Sequence, residues 1–214
     1  MSKQMLFDQI DVLSFHEAAR LFRNGGLLFC RGRGMMSRLI QQATCSEVSH
    51  VAMLVEMPVT DQWLVIESVE SVGVRCVTLE EGYLSNYNGS GAAYPGELMV
   101  ARHSFVQQAC HYMPELFRKA FSLLGSHYDH HAILQIAARI CMQDAGIHPN
   151  GTLKPDHDYI CSELVYALFQ TLKIQLPLDV RGFISPANIA QDASVEAVCG
   201  VRAKVKGAQE ALMQ

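Results

Sequence analysis

The sequence predicts an α+β fold in which an antiparallel sheet packs against helices. Residues 48–56 and 62–69 are β-rich runs joined by a short turn that contains Pro58, a pattern typical of a hairpin. Further strand-like runs follow at residues 72–79, 97–102 and 195–201. Apolar residues recur at helical spacing from Leu164 to Leu172, which predicts a helix with one buried face.

The remaining elements follow from local signals. Apolar spacing predicts an N-terminal helix over residues 5–24, which the Asn24-Gly25-Gly26 turn ends. A helix over residues 105–124 is kinked at Pro114 or restarts there with the proline in its first turn. Gly73 marks a bulge or a close backbone approach in its strand. The other predicted segments are a strand at 27–30, a turn at 31–34, short helices at 35–42 and from Ser185-Pro186, a surface loop at 83–96 and a helix at 131–145.

Composition narrows the class of function. With a formal net charge of −4 and 18% charged residues, the chain lacks the basic surface of a nucleic-acid-binding protein. Its apolar runs fall short of the roughly 18 residues that a membrane-spanning helix requires, and the charges within residues 1–23 argue against a signal peptide. Seven scattered cysteines, an odd number, indicate reduced thiols in a cytoplasmic protein.

Cys161 is the first candidate catalytic residue. The polar segment 155–158 leads into the apolar helical stripe, so Cys161 lies within one turn of a helix N-terminus. The helix dipole and the free backbone N–H groups at such a place favour an anion and lower the pKa of a thiol. A thiolate is a nucleophile when a histidine lies beside it, so the chain must supply that histidine.

His50 is the histidine best placed to be that partner. It lies inside an otherwise apolar strand, where each ring nitrogen needs a hydrogen-bond partner. If the hairpin turn is centred between Pro58 and Val59, Glu67 lies directly opposite His50, and its carboxylate would orient the imidazole. The alternative is structural, a hydrogen-bonded core histidine and a charge at the hairpin edge.

The order of the motifs adds a resemblance to a known family. The segments that carry it are Gly26-Leu27-Leu28-Phe29, Thr44-Cys45-Ser46, Ser49-His50-Val51-Ala52-Met53, Glu67, Gly125-Ser126-His127-Tyr128-Asp129, Tyr159-Ile160-Cys161-Ser162-Glu163-Leu164-Val165 and Ser185-Pro186. Together they resemble the circularly permuted NlpC/P60 branch of the papain-like cysteine hydrolases, and within it the YiiX/YaeF-like group. In this branch the histidine strand precedes the cysteine helix, as it does here. Gly26 departs from the group, which more often has an aspartate after the first glycine.

The resemblance implies a cysteine hydrolase of the amidase or peptidase type. Its nucleophile would be Cys161, its base His50 and its orienting residue Glu67, with a backbone N–H at the helix start stabilising the oxyanion. The expected organisation is a single domain over 1–214: an N-terminal helical extension (1–25), a permuted papain-like core (26–190) and a C-terminal strand and tail (191–214).

The resemblance also indicates substrate-binding residues. Tyr128 and Asp129 match a segment that lines the substrate cleft in the group. Tyr159 and Ser162 flank the cysteine, and whether either assists at the oxyanion site stays open, because Ser162 also suits the first turn of a helix. The expected substrate is peptide-like or an acyl-bearing small molecule, with no cofactor.

Three alternatives remain. The histidine-rich stretch around Asp129 contains ligand-type residues, but it has no metal-binding spacing, so a polar loop and no metal site are predicted. The apolar segment 132–138 could line an acyl pocket or meet a membrane in a lipid-directed acyltransferase or thioesterase, although a core helix is favoured. A non-catalytic binding module is the third. The sequence gives no oligomeric state.

Overall fold

One mixed sheet organises the computed structural model, which describes residues 7–57, 59–128, 160–178 and 182–202. Within these ranges the strands are β1 (Val12–Leu13), β2 (Gly26–Gly32), β3 (His50–Met57), β4 (Gln62–Val69), β5 (Gly73–Thr78), β6 (Gly96–His103) and β7 (Val195–Val201). Their order is β1-β7-β6-β2-β3-β4-β5, and every pair is antiparallel except β1 with β7. The predicted α+β class with an antiparallel sheet is confirmed.

Helices cover both faces of this sheet. They are α1 (Phe15–Ala19), α2 (Met35–Thr44), α3 (Met113–Leu123), α4 (Cys161–Thr171) and α5 (Pro186–Gln191), with shorter helical segments at Phe7–Gln9, Glu80–Ser85, Tyr87–Gly89 and Gln107–Tyr112. The restart at Pro114 is confirmed, because the proline occupies the first turn of α3. Ser185 caps α5 as its sequence signal predicts. None of the described helices is long and apolar enough to cross a membrane.

The alternation of side chains gives the sheet two distinct faces. On the helical face, apolar residues such as Val51, Met53 and Ile66 pack against α3 and α4. On the tyrosine face, Ala52 and Val65 pack with α1 and with a segment around Tyr83. His50 and Glu67 have the parity of Ala52 and Val65 in their strands, so their side chains leave the sheet on the tyrosine face.

The predicted N-terminal helix over residues 5–24 is wrong. Ser14 and Glu17 form a capping box that starts a new, short helix at Phe15. Immediately before it, β1 pairs with β7 at the sheet edge. Backbone pairing with the sheet and a local cap therefore override the helical spacing of the apolar residues. The N-terminal extension is not one helix.

The predicted surface loop at residues 83–96 is also wrong in part. Tyr83 and Leu84 are fully buried, and the segment begins with the helical turns Glu80–Ser85 and Tyr87–Gly89. The rings of Tyr83, Tyr87 and Tyr94 pack with centroids 4.9–5.5 Å apart. Aromatic packing on the sheet therefore orders a stretch whose glycines, serines and asparagines are typical of exposed loops.

The hairpin register differs from the predicted one. Met57 pairs with Gln62, so the turn is centred between Val59 and Thr60, one residue later than expected. Glu67 consequently does not lie directly opposite His50. The shift moves each cross-strand partner by two positions, and a shift of two keeps a side chain on the same face. The two residues become diagonal neighbours, which longer side chains can still bridge.

Candidate active site

Cys161 is the first residue of α4, as its sequence predicts. Ile160, in an extended conformation, precedes it, and the Glu163 carboxylate accepts a hydrogen bond from the Ile160 backbone N–H at 3.2 Å. One turn further on, Leu164 donates its backbone N–H to the Ile160 carbonyl. The Cys161 side chain is nearly buried and lies at the positive end of the helix dipole.

His50 lies at the start of β3 and bonds to Glu67. Its Nε2 donates to Glu67 Oε2 at 2.8 Å, and the Glu67 side chain is completely buried. The bond fixes the orientation of the ring and leaves Nδ1 for a second partner. The diagonal contact therefore replaces the direct opposition expected from the sequence.

Two further residues hold the Glu67 carboxylate. Arg75 pairs with Glu67 across β5 and β4, and its Nε donates to Glu67 Oε1 at 2.8 Å. Arg75 Nη2 lies at the same distance from that oxygen, but its geometry is not that of a hydrogen bond. The Tyr83 hydroxyl donates to Oε2 at 2.5 Å. Burial raises the pKa of Glu67, but the hydrogen bond and charge of His50, with Arg75 and Tyr83, outweigh burial and lower it. The carboxylate is therefore held in its ionised form.

Sequence reasoning missed Arg75 and Tyr83. Extending the hairpin argument one strand further would have found Arg75, because β5 pairs directly with β4. Tyr83 carries no local signal, since its position depends on how the segment after β5 folds back over the sheet.

The imidazole of His50 is also coupled to Cys161. Burial lowers the pKa of His50, but a negative charge on the Cys161 sulfur, a hydrogen bond to that sulfur and the Glu67 carboxylate together raise it to about 10. The ring thus lies between the Glu67 carboxylate and the Cys161 sulfur, and this surrounding favours its protonated form.

Two cavities meet at Cys161. The first, which we call the polar cleft, also contains His50 and is lined by side chains that include Tyr87, Tyr94 and Tyr128. The second, the apolar pocket, lies between α2 and the start of α4 and does not include His50. Cys161 therefore lies where two chemically different spaces join.

Tyr128 is placed at the polar cleft by backbone pairing. Val74 donates its N–H to the Ser126 carbonyl and accepts one from Gly125, both at 2.9 Å. Gly73 makes this approach possible, because a Cβ there would lie 2.0 Å from the Ser126 oxygen; the close approach predicted at Gly73 is confirmed. The segment thus brings Tyr128 against Ile160 and Phe183 beside the cysteine.

The other predicted site residues differ in outcome. Ser162 is fully buried, and its hydroxyl donates to the Ile184 carbonyl at 2.8 Å, which ties the start of α4 to the segment before α5. Asp129 and Tyr159 lie outside the described residues, as do the predicted helix at 131–145 and most of the histidine-rich stretch. Among the described residues, no group of three or more histidines, cysteines or carboxylates is arranged to hold a metal ion.

Comparison of the sequence with family models identifies the family of the chain. A family model described as permuted papain-like amidase enzyme, YaeF/YiiX, C92 family, matches residues 22–197. The chain belongs to this family. It is accordingly a papain-like amidase or peptidase, a hydrolase.

One solved structure shows the same fold. It is the crystal structure of the metalloprotein YiiX from Escherichia coli O157:H7, with a TM-score of 0.58 and 18% sequence identity, and the match covers 83% of this chain and 96% of that one. At this identity the likeness concerns the fold alone. No curated protein matches the chain.

Proposed function

We propose that this amidase cleaves an amide or related acyl bond through an acyl-enzyme on Cys161, with His50 as acid and base and Glu67 as its orienting residue. The observation that carries the proposal is that Cys161, at the start of a helix, lines the same cleft as His50, whose Nε2 is hydrogen-bonded to the buried Glu67 carboxylate. Burying charged groups such as these costs desolvation free energy, and titratable groups with shifted pKa values cluster at functional sites.

Acylation uses the ion pair directly. The Cys161 thiolate attacks the acyl carbon, an S–C bond forms, and the carbonyl electron pair moves to oxygen. Backbone N–H groups in the first turn of α4 have no partner within the helix and can donate to that oxyanion. The intermediate then collapses, the C–N bond breaks, and the amine leaves with the proton of His50. General acid catalysis of this step contributes roughly 10²- to 10⁴-fold.

Deacylation runs the proton transfer in reverse. Neutral His50 takes a proton from water, and the hydroxyl oxygen attacks the thioester carbon. The S–C bond breaks, the acid is released, and the thiolate reforms beside a protonated imidazole. If an acceptor other than water took the acyl group, the protein would be an acyltransferase. The acylation step is the same in a hydrolase and an acyltransferase and does not distinguish them.

The substrate is a peptide-like or acyl-bearing small molecule. Tyr128 contacts the leaving group of the substrate in the polar cleft, which is also lined by His50, the proton donor. Asp129 and Tyr159, neighbours in sequence of Tyr128 and Ile160, stay predicted substrate contacts. The hydroxyl of Ser162 is already bonded to Ile184, so this residue contributes through its backbone and by fixing the helix.

Site-resolved alkylation tests the proposal. Wild-type protein is treated with substoichiometric iodoacetamide, digested, and the alkylated cysteine is identified by mass spectrometry. We expect Cys161 to react before the exposed Cys45, and His50→Ala to slow the reaction at Cys161 but not at Cys45. Preferential alkylation of Cys45, or equal rates in wild type and His50→Ala, would contradict the assignment and favour a non-catalytic binding module.

A further inference from the structure

The apolar pocket beside Cys161 has walls that offer little to a polar ligand. Its lining residues are Leu39, Ile40, Ala43, Thr44, Ile160, Cys161, Ser162, Phe183, Ser185 and Pro186. Three of these carry hydroxyls, and each hydroxyl donates within the protein: Thr44 to the Ile40 carbonyl, Ser162 to the Ile184 carbonyl and Ser185 to Asn188 Oδ1. The surface presented to a ligand is therefore almost entirely hydrocarbon.

One wall of the pocket is the helix α2, whose apolar side is only partly buried. None of the residues of α2 is buried, and Leu39, Ile40 and Ala43 from this helix face the pocket. Covering this accessible apolar surface with an apolar group of a ligand is favourable, because it removes the surface from water. This points to a hydrocarbon group of the substrate as the occupant.

The position of His50 assigns the pocket to one half of the substrate. His50 gives its proton to the leaving group, so the leaving group must lie in the polar cleft that contains the imidazole. The apolar pocket touches Cys161 but not His50. The half of the substrate that stays on the sulfur, the acyl half, is the part that can reach it.

The size of the pocket limits that group. Its cavity volume is about 40 Å³, and a cavity that holds one water molecule needs roughly 10 to 15 Å³. There is thus room for about three or four carbon atoms. A short or branched aliphatic group fills this space, and a longer chain would have to extend beyond it.

We propose that the pocket between α2 and α4 is an acyl-specificity site that takes a short, branched aliphatic group, such as the side chain of an aliphatic amino acid or a 3-methylbutanoyl chain. The inference rests on the proposed acyl-enzyme at Cys161. It extends that proposal by naming the apolar class and the small size of the group that the acyl half places in the pocket.

A series of p-nitrophenyl esters with one leaving group and different acyl groups tests this inference. In each reaction the sulfur bonds to the acyl carbon, the C–O bond breaks, and p-nitrophenolate leaves with the bonding electron pair. The measured quantity is the second-order rate constant of acylation, with a mass increment on Cys161 as confirmation. Each buried methylene contributes about fourfold in rate constant if it is bound in the transition state. We expect 3-methylbutanoyl to exceed acetyl by about tenfold or more, and octanoyl to fall below 3-methylbutanoyl.

Two variants on α2 provide the matched comparison. Ala43→Leu places three extra carbons into the pocket and should bring the 3-methylbutanoyl rate to or below the acetyl rate. Gln42→Leu adds the same side chain at an exposed neighbour outside the pocket and should keep the wild-type profile. Equal rates across the series, no acylation by any ester, a rise that continues through octanoyl, or the same profile in Ala43→Leu as in wild type would overturn the inference.

Iodoacetamide separates failure of the pocket from failure of the catalytic proposal. This reagent is too small to require the pocket, so its preference for Cys161 reports the nucleophile alone. If Cys161 is alkylated preferentially but the esters show no dependence on acyl size, only the pocket assignment is wrong. If iodoacetamide shows no preference for Cys161, the proposed function itself is wrong.

Discussion

The two faces of the sheet contribute different chemistry to one site. On the helical face, α4 packs through fully buried apolar residues such as Leu164 and Leu168 and presents Cys161 at its start. On the tyrosine face, Glu67 and Tyr83 lie equally deep but form a network of charges and hydrogen bonds that ends at His50. The comparison shows that apolar packing positions Cys161, the proposed nucleophile, whereas buried polar partners position His50, the proposed base.

The difference has an energetic consequence. An apolar layer tolerates a volume-conserving substitution at modest cost, typically below about 1.5 kcal/mol. A buried charge that loses one partner stays uncompensated, and breaking such a pair costs about 3 to 5 kcal/mol. Substitutions on the tyrosine face should therefore lower stability and catalysis together, while a substitution of Cys161, after which His50 keeps Glu67 as its partner, should lower catalysis far more than stability.

The largest expected effect is the separation of activity from stability at Cys161. We expect Cys161→Ala to reduce kcat/KM by at least about 10³-fold, since loss of a nucleophile removes the covalent route. Alanine suits a helical position and a buried site, so the melting temperature should change by only a few degrees. Cys199→Ala, the same change at a buried position of β7, is the control and should keep full activity. Comparable activity in the two variants would exclude Cys161 as the nucleophile.

The second effect is a pH-dependent loss of stability on the tyrosine face. The pKa of His50 is about 10 in the fold against an ordinary value of 6.5, so its protonated ring stabilises the folded state. This contribution is complete below about pH 6.5 and is lost as the pH rises towards 10. Urea unfolding of wild type and His50→Gln at pH 6 and pH 9.5 should show a stability difference that narrows at the higher pH. A difference that widens with pH would reverse the sign and contradict the ion pair.

The sequence predicted the position of Cys161 better than the network around His50. The cap and apolar stripe of α4 are local signals, so Cys161 was placed correctly at the helix start. The turn centre was predicted one residue too early, so the strand pairing differs from the predicted one. The His50–Glu67 contact was nevertheless anticipated, because this error leaves both side chains on the same face of the sheet. Arg75 and Tyr83 depend on a third strand and on a segment folded over the sheet, which spacing along the chain does not encode.

A smaller effect should follow from removing one hydroxyl from each face. Tyr83→Phe keeps the ring packing but removes the donor to Glu67 Oε2, and we expect kcat/KM to fall about three- to tenfold with a loss of about 1 kcal/mol in stability. Tyr166→Phe removes a hydroxyl from α4 on the helical face, where the ring packs against apolar core. Its kcat/KM should stay within twofold of wild type. Equal losses in both variants would remove the distinction between the faces.

The smallest effect concerns Ser162. Ser162→Ala leaves the buried Ile184 carbonyl without its donor and should cost about 1 to 2 kcal/mol of stability, with kcat/KM changed by less than about threefold. Ser122→Ala, which removes an exposed hydroxyl bonded to the Lys119 carbonyl, should be nearly neutral in chemical denaturation. A large fall in kcat/KM for Ser162→Ala at unchanged stability would instead assign its hydroxyl to substrate.

The most direct test of the account measures the charge coupling between the two faces. The pKa of His50 can be followed by NMR of the imidazole in wild type and in Cys161→Ala. We predict a value near 10 in wild type and a decrease of more than one unit in the variant, because the negatively charged sulfur on one side of the ring is lost while Glu67 remains on the other. An identical His50 pKa in the two proteins would contradict a thiolate–imidazolium pair at this site.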